Sequence, residues 1–131
     1  MLNQCFMFKA EPPVSVAVVY VHFNADHSRR FVQSYAKFAP GQAHRTVVVL
    51  NAGPMNADTQ QIFAPIPNCE FLQHDNSGQD IGAYQKAAME VNSDLMVFFG
   101  GSTYFRREGW MNRIVESFRL FGSTIYGSTA N

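Results

Sequence analysis

The side chains from His74 to Asp80 crowd carboxylates, an imidazole and an amide around a glycine: His74, Asp75, Asn76, Gly78 and Asp80. Carboxylates and amides accept and donate to ligand hydroxyls, and glycine lets a ligand approach the backbone closely. A second stretch, Gly100-Gly101-Ser102-Thr103, offers backbone N–H groups and two hydroxyls. N–H groups in a Gly-rich turn can hold phosphate oxygens. His22, Asn24 and Asp26 form a third polar stretch, and Asn51 marks a fourth. Together these groups favour a phosphorylated or nucleotide ligand over an apolar one.

Each polar stretch follows an apolar run. Val14 to Phe23, Thr46 to Leu50, Cys69 to Gln73 and Leu95 to Phe99 read as strands, most of them buried on both faces. Between them lie helical patterns. One carries Phe31, Val32, Tyr35 and Phe38 on one stripe and ends at Pro40-Gly41; Asp58 to Phe63 makes a short one. Asp80 to Val91 is expected to turn Ile81, Tyr84, Ala87 and Ala88 inward. A helix from about Glu108 to Phe121 buries Trp110, Ile114, Val115 and Phe118, with Gly122 as its stop. Ser123 to Tyr126 is read as a last short strand.

Alternating strands and helices call for a doubly wound α/β domain, with a mostly parallel sheet of about five strands and helices on both faces. Ligands in such sheets bind outside the carboxyl ends of the strands, at the topological switch point. That rule gathers the four polar stretches into one candidate site.

Composition sets the outer bounds. The chain has 131 residues, and 47% hydrophobic against 15% charged residues excludes a disordered or coiled-coil class. One domain over 1–131 is expected, with 1–13 as an N-terminal extension. Ten basic residues balance ten acidic ones, so charge alone drives no binding to nucleic acid. Cys5 and Cys69 lack metal-ligand spacing and read as inert, reduced thiols. No apolar run approaches the ~20 residues of a membrane span. The expectation is a soluble cytoplasmic domain. A P-loop, a Gly-x-Gly-x-x-Gly turn after the first strand and a Gly-x-Ser-x-Gly elbow are all absent from the sequence.

The order of motifs resembles that of inverting family-2-like glycosyltransferases. Asn76-Ser77-Gly78-Gln79-Asp80-Ile81-Gly82-Ala83-Tyr84 looks like their Asn-x-Gly region. Asp94-Leu95-Met96-Val97-Phe98-Phe99 resembles the strand leading into their metal-binding Asp-x-Asp element. Thr103 to Trp110 resembles the start of the helix that follows, and Val18 to Asn24 matches their first strand with its terminal Asn. The resemblance covers roughly 14–127. It implies a GT-A fold that binds a nucleotide-diphospho sugar and transfers the glycosyl group to an acceptor hydroxyl. By the same resemblance His22, Phe23 and Asn24 lie by the base. Asn51 lies by base or ribose, and Asp75, Asn76, Gly78 and Asp80 approach ribose and diphosphate. Gly100, Gly101 and Ser102 take the Asp-x-Asp position.

That position supplies no carboxylate for Mg²⁺ or Mn²⁺, which need hard oxygen ligands. Metal independence, replacement by Asp75 and Asp80, and loss of activity remain as readings; the first and last are favoured. Arg106 and the Gly100-to-Ser102 amides are the alternative partners for leaving phosphates. No residue stands out as a catalytic base. The rival reading is an inactive GT-A-like binding or assembly module, with apolar residues from Ile125 onward and Phe6-Met7-Phe8 pairing in a homodimer. A flavodoxin-like or response-regulator-like domain ranks below both, because Asn51 and Gly100 stand where a phosphoacceptor Asp is needed. The bland readings stay open beside these: Asn24 as a helix cap, Asp80 as a first-turn acid, and Trp110 and Tyr104 as packing.

Overall fold

A computed structural model of the chain describes residues 13–127. Four strands form one sheet: β1 (Val16–His22), β2 (Arg45–Leu50), β3 (Glu70–Gln73) and β4 (Leu95–Phe99). Four helices connect and follow them: α1 (Ala25–Lys37), α2 (Ala57–Phe63), α3 (Gln79–Glu90) and α4 (Asn112–Phe121). The strand order is β3-β2-β1-β4 and every pairing is parallel. Val18 of β1 faces Thr46 of β2 and Val97 of β4, which fixes the register on both sides of the central strand.

The chain moves outward from β1 through β2 to β3, then returns across the sheet to place β4 on the far side of β1. Right-handed crossovers require α3 to cross on the opposite face from α1 and α2. The core obeys this. Ala17, Val19, Val21, Val47 and Val49 pack against Ala83, Ala87 and Val91 of the α3 segment. On the other face Tyr20, Val48 and Leu50 meet Phe31, Val32, Phe63 and Ile66. There also Val16, Val18, Leu95 and Val97 meet Met111 and Val115 at α4. Burial on both faces explains why β1 is an unbroken apolar run.

Three expectations are corrected. The sheet has four strands among the described residues, because 123–126 is irregular. There the Tyr126 hydroxyl lies 2.6 Å from the Gly122 carbonyl and 3.1 Å from that of Ser117, so the segment folds back on the carboxyl end of α4. Ile81 is 65% exposed and Ala88 is also exposed. The inward side of α3 is Ala83 and Ala87 with Tyr84 beside them, since small residues let the helix axis approach the sheet. Finally, α4 begins at Asn112 rather than near Glu108. Gly109 N–H donates to the Ala39 carbonyl (2.7 Å) and Met111 N–H to that of Pro40 (3.1 Å), so these groups tie the turn to the end of α1. Cys5 and Phe6-Met7-Phe8 lie outside the described residues. No helix among those described is long and apolar enough to cross a membrane.

Candidate functional site

The reversal of strand order opens a crevice between the carboxyl ends of β1 and β4, the switch point at which such sheets bind ligands. The loops after all four strands meet along this edge. Asn51 N–H donates to the His22 carbonyl at 2.9 Å, joining the ends of β1 and β2. The Asn51 side chain then joins the ends of β2 and β3. Its Nδ2 donates to the Gln79 carbonyl at 3.4 Å, and its Oδ1 lies 2.7 Å from His74 Nδ1. A carbonyl only accepts, so Gln79 fixes the amide orientation, and the Asn76 N–H also reaches His74 Nδ1, at 3.2 Å. His74 Nε2 faces the Asp75 carboxylate at 3.7 Å.

The β3–α3 turn has an unusual backbone. Asn76, Gly78 and Gln79 all have positive φ (65°, 70° and 52°), which costs Gln79 most because it carries a side chain without a local cap bond. The turn is pinned at both ends. Asp75 Oδ1 accepts from the Ser77 N–H (2.9 Å) and Ser77 hydroxyl (2.5 Å). Those two bonds, with His74 nearby, hold the exposed Asp75 carboxyl below the usual carboxylate range. At the other end α3 begins directly, with Asp80 in its first turn near the positive end of the helix dipole.

Asp80 faces the β4 loop. A side-chain carbon added at Gly100 sits 3.4 Å from Asp80 Oδ2 and 3.5 Å from the Tyr84 hydroxyl, so all three border one space. Gly101 is packed much harder. A carbon there meets the Phe23 ring at 2.2 Å and the Val21 carbonyl at 2.9 Å, and the Gly101 carbonyl accepts from Tyr20 Oη at 2.7 Å. Burial pushes that Tyr20 hydroxyl up to about 12, with Ser28 pulling weakly the other way. Phe23, Asn76, Gly78, Asp80 and Ile81 line the resulting open depression of about 420 Å³, with the Gln79 backbone between them.

The expected site residues therefore divide. Phe23, Asn76, Gly78 and Asp80 line the depression, with Gly100 against Asp80 and Gly101 behind Phe23. Ser102 is exposed in the same β4 turn. Asn24 accepts from His27 N–H at 3.0 Å and caps α1. Asn51 is 8% exposed and ties the loops together from beneath. Asp75 lines a separate surface hollow with His74, Ser77 and Lys86. His22 points into the α1–α2 side, where Nδ1 lies 2.6 Å from Ser28 Oγ and the ring meets Phe63 edge-on. Trp110 stacks on Phe105 at 3.9 Å, in the core.

Burial lowers the His22 pKa. The unfolded chain protonates this ring near its ordinary ~6.5 while the folded chain resists. Its contribution is thus present above about pH 6.5 and is lost as pH falls toward the lower folded value. Unfolding free energies from urea titrations between pH 7.5 and 5 are expected to fall more steeply in wild type than in His22→Gln, by at most about 1.4 kcal/mol per pH unit.

The residues here do not fit a protein-built divalent cation site. Asp80 is the one carboxylate of the depression, Asp75 is bonded to Ser77 outside it, and Gly100-Gly101-Ser102 adds none. Among the described residues no group of three His, Cys, Asp or Glu side chains is placed to hold a metal.

Sequence reasoning missed the bridging role of His74 and Asn51. It also missed Arg30, whose guanidinium lies 3.6 Å over the Tyr104 ring just past the β4 turn. No pattern in the chain announces either contact, since both join segments far apart in the sequence. Burial pushes the Cys69 thiol up to about 12, in line with an unreactive role. No family model matches the chain, and no curated protein matches it.

Proposed function

We propose that the crevice between β1 and β4 binds a nucleotide-diphospho sugar as the donor of a glycosyl transfer. The observation that carries this reading is the open backbone of Gly100 at the switch point, bordered by the Asp80 carboxylate and flanked by the exposed Phe23 ring. An aromatic face suits a base, a carboxylate accepts from ribose hydroxyls, and backbone N–H groups donate to phosphate oxygens. In the transfer, an acceptor hydroxyl oxygen bonds to the anomeric carbon and gives its proton to water. The bond from that carbon to the diphosphate oxygen breaks, and the nucleoside diphosphate leaves. The crevice residues bind and orient the donor.

A second reading is a binding module with this site but no transfer, favoured by the Gly100-Gly101-Ser102 turn, which carries no carboxylate. Release of nucleoside diphosphate from bound donor in the presence of sugar acceptors separates the two.

The test uses thermal shifts with UDP-, GDP- and dTDP-sugars, in chelator and in Mn²⁺, on wild type and Gly100→Ala. A carbon at Gly100 makes only ordinary contacts, so the fold is expected to keep its melting temperature within about 2 °C. Donor affinity is expected to fall about tenfold, roughly 1.4 kcal/mol, because the carbon stands where the ligand meets the backbone. A melting temperature unmoved by every donor sinks the reading.

A further inference from the structure

The chain is electrically neutral, yet the segment just past the β4 turn is basic. The segment that leaves the β4 turn carries Tyr104, Arg106 and Arg107. From α1, Arg30 lays its guanidinium over the Tyr104 ring, 3.6 Å from its centroid. The neighbouring Arg29 is neutralised by Asp26 at 2.9 Å. None of Arg30, Arg106 and Arg107 has a carboxylate within ion-pair distance among the described residues, and Glu108 pairs with none of them. Arg30 is thus held on the segment that leaves the β4 turn, four residues beyond Gly100, and the exposed Arg106 and Arg107 follow on the same segment.

Arg30 differs from an ordinary surface arginine in its support. A guanidinium on an aromatic face gives up rotamer freedom in advance, while its N–H groups point outward in the guanidinium's own plane. A fork held this way matches phosphate oxygens two at a time. Tyr104 is itself 40% exposed, so the pair is open to solvent.

We infer that Arg30, held on Tyr104, is the principal binding group for the diphosphate of the ligand and supplies the positive charge that a metal ion would otherwise bring. The ligand class is a diphosphate ester. The inference rests on the proposed donor site for the rest of the ligand, but the anion site itself can be probed alone.

The probe is inorganic pyrophosphate, titrated calorimetrically into the whole chain in chelator at low salt. Wild type is expected to bind, and Arg30→Gln to bind at least tenfold more weakly with an unchanged melting temperature. Tyr104→Phe is expected to retain wild-type affinity, since the ring face remains. Tyr104→Ala is expected to lose about threefold, because the guanidinium is no longer held. Arg113→Gln, on the exposed side of α4, serves as the charge control and is expected to stay within twofold. The inference is overturned if wild type does not bind pyrophosphate, or if Arg30→Gln weakens it no more than Arg113→Gln does. The two proposals fail separately. UDP-, GDP- and dTDP-sugars that all fail to displace Arg30-dependent pyrophosphate refute the donor reading and leave the anion site. Donors that bind Arg30→Gln as tightly as wild type refute Arg30 and leave the donor reading.

Discussion

Gly82→Ala is expected to destabilise the protein by roughly 2–3 kcal/mol, the cost of forcing an extra carbon into a packed site. Helix propensity alone points the other way, since alanine in a helix interior is worth ~1 kcal/mol over glycine. The steric term wins because the new carbon would lie 1.8 Å from the Ser77 carbonyl oxygen and 3.1 Å from His74 Cε1. The oxygen belongs to the backbone, so no side-chain rotation relieves the clash. The turn at Asn76, Gly78 and Gln79 is already held at positive φ and has little room to yield. Opening it pulls His74 from Asn51 and unties the loops after β2 and β3. Differential scanning calorimetry is expected to show a melting temperature lower by about 5–12 °C. Ala88→Gly, on the exposed side of the same helix, is expected to cost only ~1 kcal/mol.

Phe31→Ala is expected to cost more, about 3–5 kcal/mol in urea unfolding followed by the Trp110 fluorescence. Phe31 is fully buried, stacks on Tyr20 at 3.9 Å and meets Phe105 at 5.4 Å. Trp110 stacks on that same Phe105, so the reporter sits one ring from the cavity. The effect reaches the crevice through one bond. Tyr20, freed of its stacking partner, no longer holds its hydroxyl firmly on the Gly101 carbonyl. Donor affinity is therefore expected to fall with stability. Tyr20→Phe separates the two, keeping the ring stack while deleting the hydroxyl, for about 1–3 kcal/mol from the partners left buried and unpaired.

The strands were legible as apolar runs, because burial on both faces confines the polar residues of β1 and β2 to their ends, at His22, Arg45 and Thr46, and β4 is wholly apolar. The Asn24 cap and the Gly122 stop were legible for a local reason, since a cap is a property of neighbouring residues. The loops at the strand ends were legible as a group. Their inner arrangement was not. At the end of β1, alternation turns His22 into the core and leaves Phe23 exposed, and only the observed register decides which. On α3 the larger apolar residue, Ile81, was expected inward, but close helix–sheet approach selected Ala83 and Ala87. Asn51 with His74, and Arg30 with Tyr104, are contacts between segments far apart in the chain, for which a single sequence holds no local signal.

Mapping where the donor binds is the most direct check on the central claim. Backbone amide shifts recorded during a UDP-, GDP- or dTDP-sugar titration in chelator are expected to move at Phe23, at residues 76–81 and at residues 100–104. The amides of Gly41 to Arg45, at the opposite end of the sheet, are expected to stay still. Shifts confined to the groove of Tyr35, His44, Arg45 and Glu70 at that opposite end, or no shifts with any donor, would contradict a donor site at the switch point.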